Sequence, residues 1–265
     1  MKSGTSSLYQ WLAAEPEFAL PEVKEPHFFS RDEVWRRGLD WYGGRFSDEP
    51  GRLVGEASTS YTNPEHCDKA AQRAASIVPD ARIIYVLRHP VDRIRSHYRH
   101  LLWRAQERRS LLEVLADPAN PVASRSCYHA CVAPFLARYP REQICIVRFE
   151  DLISEDAPAW PMVLGHLGVS PRPVPVSAYN VSAEHAHFTR AMGWIWRSRL
   201  RALVPKVPRP LRHLGGVLLL RESPEHQARL AGSSVPIPAE LVAPVWRDIE
   251  RLEQWLGREE PLWTR

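Results

Sequence analysis

Residues 81–98 read ARIIYVLRHPVDRIRSHY. The stretch from Ala81 to Leu87 is too short for a helix and too continuously apolar for an exposed edge, which predicts a buried strand of a mostly parallel sheet. Pro90 stands where a helix can begin, and Ile94, Tyr98 and Leu101 then recur on one face. Strand, short loop and helix in that order make a βα unit, the repeat of α/β folds. Ligands of such sheets collect at the carboxyl ends of the strands, which singles out Arg88. Ser96 lies eight residues further on, about two turns into the helix. Arg88 can grip a phosphate through two N–H groups while Ser96 donates from the helix. The plainer alternative pairs Arg88 with Asp92 and leaves Ser96 a small helix residue.

The same reasoning extends outward. Leu8, Trp11 and Leu12 follow the polar Lys2 to Ser7 at helical spacing until Pro16, so a loop feeds a helix N-terminus there. Leu20 to Phe29, with two prolines, reads as irregular. Arg31 to Phe46 reads as a short helix and an aromatic-rich loop. Leu53 to Tyr61 is a short strand and loop, and Asn63-Pro64 supplies an N-cap and first position for a helix to about Ile77. Ser126 to Tyr139 is helical, Ile144 to Val147 a second buried strand. Pro171 to Pro175 is an extended passage. In the final stretch, Leu241, Val245, Ile249, Leu252 and Leu256 recur at helical spacing with Gly257 as C-cap. The expectation is one α/β domain over residues 1–265, with a central parallel sheet of about four or five strands flanked by helices.

Composition narrows the functional classes. The chain has 265 residues, 44% apolar and 25% charged, so neither disorder nor a free-standing coiled coil fits. No apolar run reaches the roughly 18 residues of a membrane-spanning helix, and the amino-terminal residues lack the pattern of a secretory leader. Lys and Arg exceed Asp and Glu by 35 to 31, a net of +4, and only four of those cations are Lys. That excess permits anionic ligands without calling for nucleic acid. Cys67, Cys127, Cys131 and Cys145 form no CxxC pair, so free thiols in a reducing, cytoplasmic setting are expected, with neither zinc nor a disulfide. The run from Arg197 to Arg212 holds six cations and no acid. With Trp194 and Trp196 it reads as a solvated basic segment packed on the body, rather than as a lid or a membrane contact, because prolines 205, 208 and 210 break any long amphipathic helix.

Lys2-Ser3-Gly4-Thr5-Ser6 at a helix start is suited to an anion. Free backbone N–H groups and the helix dipole attract it, Gly4 permits close approach, and Lys2 adds a point charge. An ordinary solvated cap is the alternative. The order GxxxxGK[ST] is absent, which counts against an ATPase or kinase.

Taken together, these segments resemble the sulfotransferases that use 3'-phosphoadenosine 5'-phosphosulfate (PAPS). Lys2 to Ser6 looks like their 5'-phosphosulfate loop, and Arg88 to Tyr98 resembles their 3'-phosphate motif. Lys24 to Phe29 (KEPHFF) and Gly55 to Tyr61 (GEASTSY) are similar to segments of the heparan-sulfate glucosaminyl 3-O-sulfotransferase branch. Arg148 to Leu152 and Leu252 to Trp263 fit bacterial members. The resemblance implies a P-loop-like fold and sulfuryl transfer from PAPS to a hydroxyl of a carbohydrate or glycosylated small molecule, with no metal. It implies that Lys2 contacts the bridging oxygen and 5'-phosphate, that Ser3, Gly4, Thr5 and Ser6 line the phosphate, and that Arg88 and Ser96 hold the 3'-phosphate. Tyr128 matches loosely a position near the adenosine. Glu25 corresponds to the general base; His27 is its rival, and what remains is Glu56 or acceptor positioning without one dominant base.

Three departures from the pattern stand out. The family's apolar strand before the phosphosulfate loop is missing, so the first strand is expected to be truncated. Ala57 stands where heparan-type enzymes carry a lysine, which argues against a sulfated or carboxylated glycan. The disulfide-bearing loop of the animal enzymes has no counterpart. The competing readings are a nucleotide-binding phosphotransferase and a truncated, non-catalytic nucleotide-binding relative.

Overall fold

The computed structural model describes residues 2–21, 23–46, 50–103, 106–174, 228 and 230–264. Tyr179-Asn180 and the basic stretch from Trp194 to Arg212 lie outside them. In chain order the elements are α1 (Thr5–Ala14), β1 (Phe18–Ala19), α2 (Asp32–Trp35), α3 (Gly38–Gly43), β2 (Leu53–Val54), α4 (Cys67–Ile77), β3 (Ile83–Leu87) and α5 (Pro90–Trp103). There follow α6 (Leu111–Ala116), α7 (Pro121–Ser124), α8 (Tyr128–Leu136), β4 (Ile144–Arg148), α9 (Phe149–Ile153), α10 (Ala159–His166) and α11 (Ala239–Leu256). The chain forms two compact units, the first from residues 1–93, 123–179 and 243–265, the second from 94–122 and 180–242.

The first unit holds the strands. β3 and β4 pair in parallel with Ile83 opposite Ile144 and Leu87 opposite Arg148. β1 and β2 pair in parallel with Phe18 opposite Leu53. The fold is α/β with parallel strands flanked by helices, as the βα pattern at residues 81–98 requires. The expected single sheet is, among the described residues, two separate two-stranded pairs. Among the described residues no strand joins β2 to β3.

Burial follows the periodicity. Leu8, Trp11 and Leu12 of α1 pack with Val86, Val147, Trp160, Val163 and Leu164, and Trp11 meets Trp160 edge to face at 5.7 Å. Ala70, Ala71 and Ala74 give α4 a buried face of small residues, and the helix packs against α8. Helix α4 begins at Cys67, with His66 as its N-cap, later than the Asn63-Pro64 pair suggests; Asn63 is extended at ψ 136, as a residue before proline prefers. Its carbonyl accepts instead from the N–H groups of His66 and Cys67. At the other terminus Gly257 takes φ 67 just past α11, the left-handed C-cap expected of it. Asp248 of α11 is buried and accepts from the N–H groups of His129 and Ala130 at 2.8 and 3.0 Å, which satisfies the open N-terminus of α8.

The four cysteines are free, and burial pushes Cys127 up to about 11 and Cys131 up to about 12. They are inert packing residues at neutral pH. In the second unit Tyr98 donates to the carbonyl of Arg109 at 2.9 Å, and Ser110 with Glu113 forms a capping box on α6. Ser96 is half-buried on α5.

Candidate active site

The amino terminus of α1 and the carboxyl ends of β3 and β4 meet. Gly4 is the N-cap, with φ 76 and ψ 9, and its carbonyl opens the helix by accepting from Ser7 and Leu8. Arg88 follows β3; its guanidinium donates to the carbonyl of Lys2 at 3.3 Å and lies over the Phe149 ring at 5.2 Å. Tyr128, 2% exposed, donates to the carbonyl of Arg88 at 2.6 Å. It therefore holds the end of β3 in place, a positioning role that motif matching alone does not reveal. His89 N–H donates to Glu150 at 2.8 Å, and Glu150 also accepts from the Trp263 indole. Arg148 pairs with Asp151 at 2.6 Å and donates to the carbonyl of Leu262. Thus Arg148 to Leu152 and the carboxyl-terminal segment, separate in sequence, brace the same strand ends.

The Lys24–Phe29 segment lies against this loop. The Lys24 ammonium donates to the hydroxyls of Ser6 and Thr5 at 3.1 and 3.3 Å and stands 3.7 Å from Glu25. Burial lowers its basicity, and the Glu25 charge opposes that. Lys24 is a residue that sequence reasoning quoted but gave no role. Glu25 and His27 take φ 65 and 57, left-handed conformations that cost non-glycine residues on the order of 1–2 kcal/mol and that gather at functional sites.

Hydrogen bonds from the Ser58–Ser60 loop hold that strain in place. Thr59 donates to Glu25 at 3.2 Å, and His27 N–H donates to the Ser58 hydroxyl at 2.9 Å. The His27 Nδ1 lies 2.7 Å from the Ser60 hydroxyl, which in turn meets the buried Ser30 at 2.7 Å. The His27 Nε2 faces Glu25 at 3.5 Å. Burial is the main cause that lowers the His27 basicity, with Arg31 adding to it and Glu25 opposing it. At neutral pH the ring is an uncharged donor–acceptor. GEASTSY thus serves as the frame of Glu25 and His27, through hydroxyls whose partners are more than 30 residues away in sequence.

Glu56 is the second carboxylate of the site. It accepts from Ser58 at 2.8 Å, from Tyr42 at 3.4 Å and from Tyr61. Burial outweighs those donors and pushes its carboxyl up to about 7. A carboxyl raised by folding keeps its proton where the unfolded chain has released it. Its stabilising contribution is therefore complete below about pH 4.5 and is lost as pH climbs to about 7. Folding stability is expected to fall by on the order of 2–3 kcal/mol across that interval. Glu56→Gln should flatten this decline, as urea unfolding at pH 5 and pH 8 will show; an unchanged slope would assign the decline to other groups.

The start of α1 and the strained Glu25–His27 pair are thus tied together by one lysine on an α/β scaffold. Comparison with known proteins gives the class a name. The model of the sulfotransferase family matches residues 38–173, just over half of the chain, and the chain belongs to that family. It is 33% identical over 193 residues to the human bifunctional heparan sulfate N-deacetylase/N-sulfotransferase 3, covering 64% of this chain and 21% of that protein. It is 27% identical over 193 residues to the mouse heparan sulfate glucosamine 3-O-sulfotransferase 5, covering 68% of this chain and 54% of that protein. The chain thus spans about a fifth to a half of these relatives' lengths. A crystal structure of a sulfotransferase from Alicyclobacillus acidocaldarius superposes with a TM-score of 0.64 at 27% identity, covering 98% of this chain and 93% of that one. Among the described residues no helix is long and apolar enough to cross a membrane.

Proposed function

We propose that the chain transfers the sulfuryl group of PAPS to a hydroxyl of a carbohydrate or glycosylated small molecule. The observation that carries this reading is the Lys24 bridge: one ammonium bonds the hydroxyls of Thr5 and Ser6 and faces Glu25. It sets the phosphate-accepting loop beside the proton acceptor, as an in-line transfer needs. The acceptor oxygen gives its proton to Glu25 while its bond to sulfur forms, and the bond from sulfur to the 5'-phosphate oxygen breaks. Charge then grows on the departing phosphate, where Lys2, Lys24 and the first N–H groups of α1 stabilise it. Ser3, Gly4, Thr5 and Ser6 supply the loop, and Arg88 with the motif's hydroxyl Ser96 takes the 3'-phosphate. Arg88 suits that task, since its recorded partners are a carbonyl and an aromatic face and, among the described residues, no carboxylate. The carbohydrate acceptor rests on the relatives' names, and Ala57 favours one without added sulfate or carboxylate.

The test is calorimetry with two nucleotides. The chain should bind 3'-phosphoadenosine 5'-phosphate far more tightly than AMP, which lacks the 3'-phosphate. Arg88→Ala should remove roughly 1.5–3 kcal/mol of that preference and leave AMP affinity nearly unchanged. Equal affinity of the unaltered chain for the two nucleotides would sink the assignment.

A further inference from the structure

Glu56 has no task in the proposed transfer, yet both of its carboxylate oxygens are engaged. Oε2 accepts from the Ser58 hydroxyl at 2.8 Å; Oε1 accepts from Tyr61 and, at 3.4 Å, from Tyr42. A hydroxyl has one proton to give and lone pairs left with which to accept. Ser58 and Tyr61 both direct that proton at Glu56, which turns their lone pairs toward the Lys24–Phe29 segment. There they are used: the His27 N–H donates to the Ser58 oxygen at 2.9 Å and the Phe29 N–H to the Tyr61 oxygen at 3.4 Å. One carboxylate thus stands behind two backbone amides of the segment whose left-handed residues are Glu25 and His27. Among the described residues Glu56 makes no hydrogen bond of its own to either of them.

We propose that Glu56 is a positioning residue of the transfer reaction: by orienting the hydroxyls of Ser58 and Tyr61 it pins the His27 and Phe29 amides, and so holds the backbone that aims Glu25 at the acceptor oxygen. This rests on the reading of Glu25 as proton acceptor. Strained conformations of that kind persist only where the surroundings over-determine them, and two relays from one side chain supply that. The task needs a carboxylate. An ionised carboxyl accepts at both oxygens, whereas an amide accepts at one and donates from the other, so glutamine can serve one relay only. With its oxygen on Tyr61, its NH2 group would donate to Ser58; the Ser58 proton would lose its acceptor, and the His27 N–H would compete for the Ser58 lone pairs. Leucine would serve neither relay. Burial pushes the Glu56 carboxyl up to about 7, and the groups that face it are Tyr9, Tyr42, Ser58, Tyr61 and Glu25. Above that value all three hydroxyls that bond it find an ionised acceptor.

Hydrogen exchange and a mutant cycle, both at pH 8, test this. In the chain without ligands, Glu56→Gln should speed exchange of one of the two amides, His27 or Phe29, and Glu56→Leu of both, by about tenfold or more, with Ile83–Leu87 unchanged. Tyr61→Phe, the milder variant should the leucine form not fold, should free the Phe29 amide and leave His27 protected. Glu56→Gln should also lower the single-turnover rate at saturating PAPS and acceptor by about ten- to a hundredfold, with nucleotide affinity held. In a background of Ser58→Ala with Tyr61→Phe there is no hydroxyl left to orient on either relay, so the same substitution should cost no more than about threefold. The proposal is overturned if Glu56→Gln costs its full factor in that background, which would make Glu56 itself the proton acceptor. It is equally overturned if both amides exchange as before, or if Ile83–Leu87 loosens along with them, which would make Glu56 a general support of the fold. The exchange readings need no sulfuryl transfer, so their failure removes the role of Glu56 without touching the proposed activity.

Discussion

On the proposed mechanism, Glu25→Gln should lower the single-turnover rate of sulfuryl transfer at saturating PAPS and acceptor by about 10² to 10⁴. The amide keeps the shape of the carboxylate and can still accept from Thr59, so the left-handed backbone at Glu25 is retained. What it loses is the ability to take the acceptor proton. Affinity for 3'-phosphoadenosine 5'-phosphate should stay within a few-fold, because Lys24 keeps its bonds to Thr5 and Ser6. Single-turnover conditions matter, since slow product release would conceal the chemical step. His27→Ala should cost less in rate and more in stability, given that it removes the Nδ1 contact to Ser60 beside the buried Phe28 and Phe29. The pH profile is a weaker discriminator than the reference values promise. A carboxylate base puts the rising limb of turnover below about pH 6 and an ordinary imidazole near 6.5, but burial moves His27 downward from there and the two limbs converge. The pair of variants decides: a nearly full rate in Glu25→Gln, with His27→Ala inactive yet folded and still binding nucleotide, would exchange the roles.

How much of this site the sequence discloses depends on the range of the interaction. Local patterns were legible: the β3–α5 unit from its apolar run and Pro90, the helix start that follows the Lys2 to Ser7 loop, and the C-cap at Gly257. Pairings across 30 or more residues were not. Nothing in KEPHFF shows that Lys24 reaches back to Ser6, or that Ser58 and Ser60 hold His27. Hydroxyls bond wherever the chain brings them, and no spacing records it. β1 also escaped, because two residues after a proline-stopped helix carry no period to read. The division of the sheet into two pairs is a matter of which edges find a neighbour. Strand sequences state an inclination to pair and leave the partner open.

Gly4→Ala should be the most damaging single methyl in the first unit. At φ 76 any L-residue bears the left-handed penalty of roughly 1–2 kcal/mol. The added carbon would also sit 2.1 and 2.3 Å from two ring carbons of Phe149, far inside contact distance, so the ring or the start of α1 must move. Overpacking of this kind typically costs a further 1–3 kcal/mol. The displacement would reach the proposed nucleotide site directly, since the same ring carries the Arg88 guanidinium on its face and the same backbone forms the Lys2–Ser6 loop. The expected result is a loss of about 2–5 kcal/mol in stability and a drop of ten- to a hundredfold in affinity for 3'-phosphoadenosine 5'-phosphate. A double-mutant cycle separates the two causes. In a Phe149→Ala background the clash is gone and only the backbone penalty remains, so adding Gly4→Ala there should cost about 1–2 kcal/mol. If instead Gly4→Ala costs the same with and without the Phe149 ring, the close approach of helix start to ring is not what requires glycine, and backbone conformation alone explains it.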